Sequence, residues 1–421
     1  MSIYGLIILS ALVLGFLLDA LVVFLNIRAL GVRPSEKVAA VTDLPTWEKT
    51  MAHARAKAIL DIVASGSKVV ALLIWWFAGG FPWLDRIVAS WALGPLGGAV
   101  VYVVLLLLLF KLFSQPFKLY HTFVLETRFG FNRTSVTTFL EDRAKGFLLA
   151  LVVGGPFLVV VLFFFHFKGE WVWLYFWGTA AAFVVLVQYL APVVLMPLFN
   201  RFTPMPDGST RQAIQGYLDR IGLPFSGIFT MDGSRRSTRT NAFLTGLGRG
   251  RRIVLFDTLL ARHGDAEVVA VLAHEVGHLV LGHLRRVTVV AVLHLGLMSV
   301  LLAMAMHQPA LHHDFFMERV TLHGGFVFFV LLAVPLDLLT GPVLKWISRR
   351  HEYAADRFAV STLGDCAPLV TALKRLAREN LTGLTPHPWH VILHHSHPPV
   401  LDRIAAIEAA ASTPGPDDRN R

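Results

Sequence analysis

Seven stretches of this chain are apolar enough, and nearly long enough, to cross a hydrocarbon layer of about 30 Å, which takes roughly 20 residues of helix. They lie at about 3–27, 59–81, 94–114, 147–166, 171–196, 287–306 and 321–344. Runs of this kind restrict the fold severely, because in lipid each backbone N–H and C=O must be satisfied inside the structure, and a helix does so within one segment. Composition agrees: 55% of the 421 residues are hydrophobic and 16% charged, with a mean hydropathy of +0.60, too apolar for an ordinary soluble globule. The expected class is an α-helical integral membrane protein with seven spans.

The N-terminal run MSIYGLIILSALVLGFLLDALVVFLNI has no basic segment ahead of it and is too long for a cleaved leader, so it reads as a retained first span. Asp61 and Lys68 fall inside the second run; ionisable groups at membrane depth face a protein interior or a water-filled cavity. The single cysteine, Cys366, excludes an intramolecular disulfide and fits a reducing compartment. The formal charge is +10, yet of the 38 Lys and Arg only Arg86, Lys168 and Arg319 fall in the loops of one side. The positive-inside rule then puts the N-terminus outside and the C-terminus in the cytoplasm, with the basic residues against anionic lipid heads. No nucleic-acid module or aromatic-basic interleave is present, so the lipid bilayer is an expected partner and nucleic acid is not.

Two cytoplasmic segments interrupt the spans, roughly 197–286 and 345 onward. The first contains a helix around 211–221, a short strand running into a turn in FSGIFTMDGS, and the apolar runs TNAFLTGLG and RRIVLFDTLL, which suggest a β-hairpin. The glycines of GLGRGR form the hairpin turn; no Gly-Lys-Ser/Thr follows them to make a phosphate loop. Asp265 is the expected N-cap of a buried helix whose apolar positions are Val268, Val269, Leu272, Val276, Leu279 and Val280. Residues 412–421, STPGPDDRNR, read as a disordered tail.

That buried helix carries VLAHEVGHLVLGHLRR at 271–286. His274 and His278 are four residues apart, so on a helix both imidazoles leave one face and can hold one ion. Glu275, rotated by about 100°, flanks that ion and can reach a water bound to it. This is the arrangement of a zinc hydrolase: imidazoles hold Zn²⁺, the metal acidifies a water, and the carboxylate takes its proton as the water attacks a carbonyl. Two core histidines with an unpaired buried glutamate would be costly without such a use. Zinc needs a third protein ligand and an open fourth place. His283 is out of register for the HExxHxxGxxH pattern and reads as a polar contact at the cytoplasmic edge. Glu352, in RRHEYAADRFAV, is the better candidate, with Asp356 one turn on and able to hold a histidine by a hydrogen bond.

HEVGH at 274–278 followed by HEYAAD at 351–356 resembles the M48 zinc metallopeptidases, specifically the Ste24 type, the type I CAAX prenyl proteases. ETRFGFNRTSVTTFLEDRAKG at 126–146 is similar to the family's FGFN stretch with its downstream Asp142 and Lys145, and HSHPPVLDR to its HPP-x-x-x-R element. TNAFLTGLG is similar to the Asn-Ala-aromatic strand that lines the family's cleft, with Arg239 and Thr240 where His and Ser are frequent. The resemblance implies that His274, His278 and Glu352 bind one zinc and that Glu275 is the general base. It further implies that Asp356 orients a ligand, that Arg403 holds the acidic surroundings, that His397 stabilises the oxyanion, and that Asn241 and Ala242 pair with substrate backbone. From the residues alone, the histidine-rich PHPWHVILHHSHPP does not single out His397, and His312 and His313 read as solvated loop residues.

The implied fold encloses a water-filled chamber in the seven helices, with Asp61, Lys68 and Asp337 facing it. A mainly helical, gluzincin-like zinc-peptidase domain carries a small hairpin or sheet. The division expected is a membrane domain over 1–196, a peptidase domain over 197–411 that includes the last two spans, and the tail. The substrate implied is a peptide or protein, lipidated or membrane-inserted, of the CAAX class. The Ala, Leu, Gly and Arg bias is bacterial, which points to an inner membrane; a eukaryotic chain would sit in the endoplasmic reticulum. Three rivals share features: a heat-shock-type M48 protease has fewer spans and no FGFN segment, a site-2-type protease takes a late ligand from an Asp-Gly pair where this chain has Asp337-Leu338, and a seven-span transporter or receptor would use metal structurally.

Overall fold

A computed structural model of the protein describes residues 1–30, 34–166, 169–246 and 250–412. Lys168, residues 247–249 of the GLGRGR turn and residues 413–421 of the tail lie outside the described residues. Numbered in chain order, five spanning helices come first: α1 (Ile3–Leu30), α2 (Leu44–Phe77), α3 (Gly94–Phe113), α4 (Val136–His166) and α5 (Val172–Leu198). Helices α6 (Ser209–Ile221) and α7 (Asp265–Val280) follow, then the sixth and seventh spans, α8 (His283–Ala305) and α9 (Leu322–Leu363). Helices α10 (Ala367–Glu379), α11 (Pro388–His394) and α12 (Val400–Ser412) complete the chain. The seven-span, mostly helical class is borne out.

The apolar runs understate two helices. Helix α2 begins at Leu44, where the Asp43 side chain accepts a hydrogen bond from the Thr46 N–H at 2.9 Å, so it enters well before the apolar stretch at 59. Helix α9 has 42 residues, about 63 Å at 1.5 Å per residue, and continues through Pro335 and Pro342. Glu352 therefore stands on a continuation of the last span, and the separate helix expected for it is corrected. Hydropathy marks where lipid ends and is blind to a helix that continues in a polar register beyond it.

Beside the spans lies a four-stranded sheet of order β1-β2-β4-β3, with β1 (Phe202–Pro204), β2 (Gly227–Met231), β3 (Ala242–Thr245) and β4 (Arg252–Phe256). The expected hairpin is present: β3 and β4 are antiparallel, with Phe243 opposite Val254. The parallel pairing of β2 with β4 joins segments that local periodicity could not relate. One core forms where Ile253, Leu255 and Leu259 meet Tyr217, Ile214, Val268, Leu272 and Val276. A second closes the far end of the spans around Trp76, Phe81, Tyr102, Phe315 and Phe328. There His312 is only 1% exposed, held between the carbonyls of Gln308 and Thr321 at 3.0 and 3.1 Å. The expectation of a solvated His312 is corrected, because its loop folds back as a helical cap over that core. His313 is exposed, as expected.

What brings the two halves of the HEVGH and HEYAAD pattern together is a small residue. A methyl group on Gly277 would lie 3.0 Å from the Ala355 Cα and 3.1 Å from its carbonyl, so α7 and α9 touch backbone to backbone at that turn. Gly277→Val should force them apart at a cost of about 1–3 kcal/mol, seen as a lowered thermal midpoint in detergent. Gly216→Ala on α6, where an added methyl meets nothing within 4 Å, should not lower it; equal losses in both variants would show that the close approach is unimportant.

Candidate metal centre

Helix α7 starts one residue earlier than an N-cap at Asp265 would give. Gly264 is the N-cap, and Asp265 is the first helical residue, its carboxylate accepting the Thr210 hydroxyl hydrogen bond. From that start His274 and His278 lie one turn apart on the face turned toward α9. Their Nε2 atoms are 3.1 Å apart, and both approach Glu352: His274 Nε2 at 3.5 Å from Oε2, and His278 Nε2 at 3.3 Å from Oε1. One donor atom from each of the three residues lies within 4.8 Å of the others, the group among the described residues whose donors converge in this way.

The donor set suits a divalent metal. Two Nε2 atoms so close cannot both direct N–H bonds at each other, and a separation of 3.1 Å is near the edge of a tetrahedron with about 2.0–2.1 Å zinc–nitrogen bonds. Two imidazoles and one carboxylate are also a composition used by catalytic zinc with a fourth position left open.

The surrounding shell is built from charge. Asp356 Oδ1 lies 2.8 Å from His274 Nδ1, leaving Nε2 as the free face of that ring. Burial opposes a charge on His274, but Asp356 and Glu352 outweigh it and raise its pKa to about 9, the mark of a strongly basic imidazole. From α12, Arg403 grips Asp356 through Nε and Nη2 at 2.8 and 2.7 Å and reaches Glu352 Oε2 with Nη1 at 3.3 Å. Asp356 and Glu352 are only 2% and 3% exposed, so without Arg403 two carboxylates would be buried beside each other.

Glu275 has no hydrogen-bond or ion-pair partner among the described residues, and burial pushes its carboxyl above the usual range. His397 is 65% exposed at the side chain and rests its Nδ1 2.8 Å from Glu352 Oε2. Asn241 and Ala242 lie at the start of β3, which among the described residues pairs with β4 alone and leaves its other edge open; the Asn241 carbonyl accepts from the Phe256 N–H at 3.1 Å. His274, Glu275, His278, Glu352, Asp356 and Arg403, from α7, α9 and α12, thus meet at one place, with the β3 pair on the strand beside it. Missed in the sequence is the setting of His283. It is 4% exposed, and its Nδ1 stands 2.9 Å from that of His278, so the expected polar contact is made, in a buried place and with His278 as its partner. Its position five residues after His278, across a glycine, was the available signal.

Comparison with known proteins matches this geometry. Residues 24–201 match the model for the CAAX prenyl protease N-terminal region with five membrane helices, and residues 204–411 that for peptidase family M48. The CAAX prenyl protease 1 of Saccharomyces cerevisiae is 32% identical over 397 residues, covering 87% of this chain and 86% of its own. A CAAX prenyl protease 1 homolog of Oryza sativa is 35% identical over 298 residues, 70% of each chain. The crystal structure of S. mikatae Ste24p superposes with a TM-score of 0.89 at 30% identity, over 97% of this chain and 99% of that one. The chain therefore belongs to peptidase family M48, within its Ste24 type, and is a multi-pass membrane metallopeptidase.

Proposed function

We propose that this protein is a zinc endopeptidase of the CAAX-processing class, with His274, His278 and Glu352 as the ligands of one Zn²⁺ and Glu275 as general base. The observation that carries this reading is the convergence of those three donors beside an unpartnered carboxylate. Bound there, zinc would acidify a water and polarise the scissile carbonyl. Glu275 accepts the proton of the attacking water and returns it to the leaving amine. Asp356 and Arg403 keep His274 and Glu352 oriented. His397, anchored on Glu352 through Nδ1, has its other ring nitrogen left to stabilise the developing oxyanion.

The open edge of β3 supplies the substrate track. A peptide laid along it as an added strand would exchange main-chain hydrogen bonds from Ala242 onward, with Asn241, whose carbonyl is taken by Phe256, contributing its side-chain amide; this is recognition by backbone and tolerant of side chain. The names of the relatives supply the CAAX substrate class, and the membrane setting suits a lipidated or membrane-inserted protein. The seven spans enclose a water-accessible chamber in this reading. Supporting it, Asp337 in α9 is 72% exposed at its side chain, and an ionisable group at membrane depth faces water or protein and not lipid. Asp61 and Lys68 line a polar cleft with Ser114, Lys118 and His121, which suits the same reading. We divide the chain into a membrane domain over 1–196 and a peptidase domain over 197–411, a division supported by the family matches over 24–201 and 204–411. The loop charges support a metal end at the cytoplasmic face, and the composition supports a bacterial inner membrane, with the endoplasmic reticulum as the setting for a eukaryotic chain.

Glu275→Gln should retain zinc while losing about 10²–10⁴-fold in kcat; full activity in that variant would remove Glu275 as the base. Metal content by mass spectrometry should read about one zinc per wild-type chain, as three protein ligands imply, and far less in Glu352→Ala, whereas equal zinc in both would move the third ligand elsewhere. Cleavage of matched peptides with and without a farnesyl group should occur in both cases, because strand pairing reads backbone; strict dependence on the lipid would contradict this substrate track.

A further inference from the structure

His283 is buried and aromatic on both sides, yet it belongs to none of the roles assigned above. It opens α8, directly after Gly282, whose φ of +67° places it in the left-handed region and turns the chain from α7 into the sixth span. Its ring lies parallel to that of His351, centroids 4.0 Å apart and planes at 10°, and presents Nδ1 to His278 Nδ1 at 2.9 Å. The ring of His278 is edge-on to it, at 74°.

A neutral imidazole carries one N–H. His278 directs Nε2 toward His274 and Glu352, and a nitrogen that binds a cation must offer a lone pair. Its proton then sits on Nδ1, where the neighbouring acceptor is His283 Nδ1. The reverse assignment, with His283 donating, would put the His278 proton on Nε2 and aim it at the metal position. We propose that His283 is the positioning residue of His278: its Nδ1 accepts the His278 Nδ1–H, selects the ligating tautomer and sets the ring angle, as Asp356 does for His274. This rests on the reading of His278 as a ligand.

The consequence is an unequal pair of ligands. His274 is held by a buried carboxylate, and His278 by a neutral ring whose place depends on two membrane helices, α8 through His283 itself and α9 through His351. The metal centre is therefore keyed to the packing of the sixth span against the seventh.

The test is zinc affinity, measured by chelator competition on the full-length protein in detergent. His283→Asn places an amide oxygen where Nδ1 stood; His283→Gln places it where Nε2 stood; His283→Phe keeps a ring on His351 with no acceptor. Phe and Gln should weaken zinc binding about 10–100-fold while Asn stays within about threefold of wild type, and the cobalt-substituted Asn protein should keep the wild-type visible spectrum. Wild-type affinity in the Phe and Gln variants would overturn the proposal, as would an equal loss in all three, which would assign His283 to packing. Failure of His274→Ala to lower zinc affinity in the same assay would instead sink the ligand reading itself.

Discussion

The contact of α7 with α9 at Gly277 is the constraint on which the rest of the structure hangs. Two helices that meet backbone to backbone bring short side chains within bonding distance, and here those side chains are two imidazoles from one helix and two carboxylates from the other. Burying Glu352 and Asp356 is expensive, because each carboxylate leaves water. Arg403 contributes the counter-charge and three of its nitrogens to them. A single additional methylene between the helices would lengthen all these contacts together, so the glycine governs the chemistry without taking part in it.

The same contact explains how a hydrolytic centre is seated at a membrane. Helix α9 runs about 63 Å at 1.5 Å per residue, so the span and the residues that face the metal belong to one continuous helix of 42 residues. Helix α8 begins three residues after α7 ends, and His283 at that junction touches His278. Both spans thus enter the site directly, and the membrane helices act as its frame.

The N-terminal half is tied to the peptidase part close to the open strand. Glu126, ahead of the FGFN stretch, meets His53 Nε2 at 3.0 Å and Arg239 Nη2 at 3.0 Å. Its burial would raise its pKa, but His53 and Arg239 prevail and lower it to about 2. Arg236 grips Asp142 at 2.8 and 2.9 Å, and Asn132 bridges to Ser237. These anchors sit just before Asn241, so Arg239, which departs from the family pattern, has a structural duty: it fixes the entry to β3 against the membrane half.

How much of this could be read beforehand depends on the range of each signal. Hydropathy located all seven spans, since the demand of lipid for self-satisfied backbone acts on every residue of a run. The four-residue spacing of His274 and His278 fixed their shared face, and motif order supplied Glu352 as their candidate partner. The sequence by itself also determined the β3–β4 hairpin, whose strands are neighbours in the chain. Only the tertiary structure decided that Glu352 rides on the last span, that β2 runs parallel to β4, that His312 is buried, and that His283 meets His278. Each of these depends on contacts between segments far apart in the chain or on a helix continuing past its apolar stretch, and local periodicity carries no information about either.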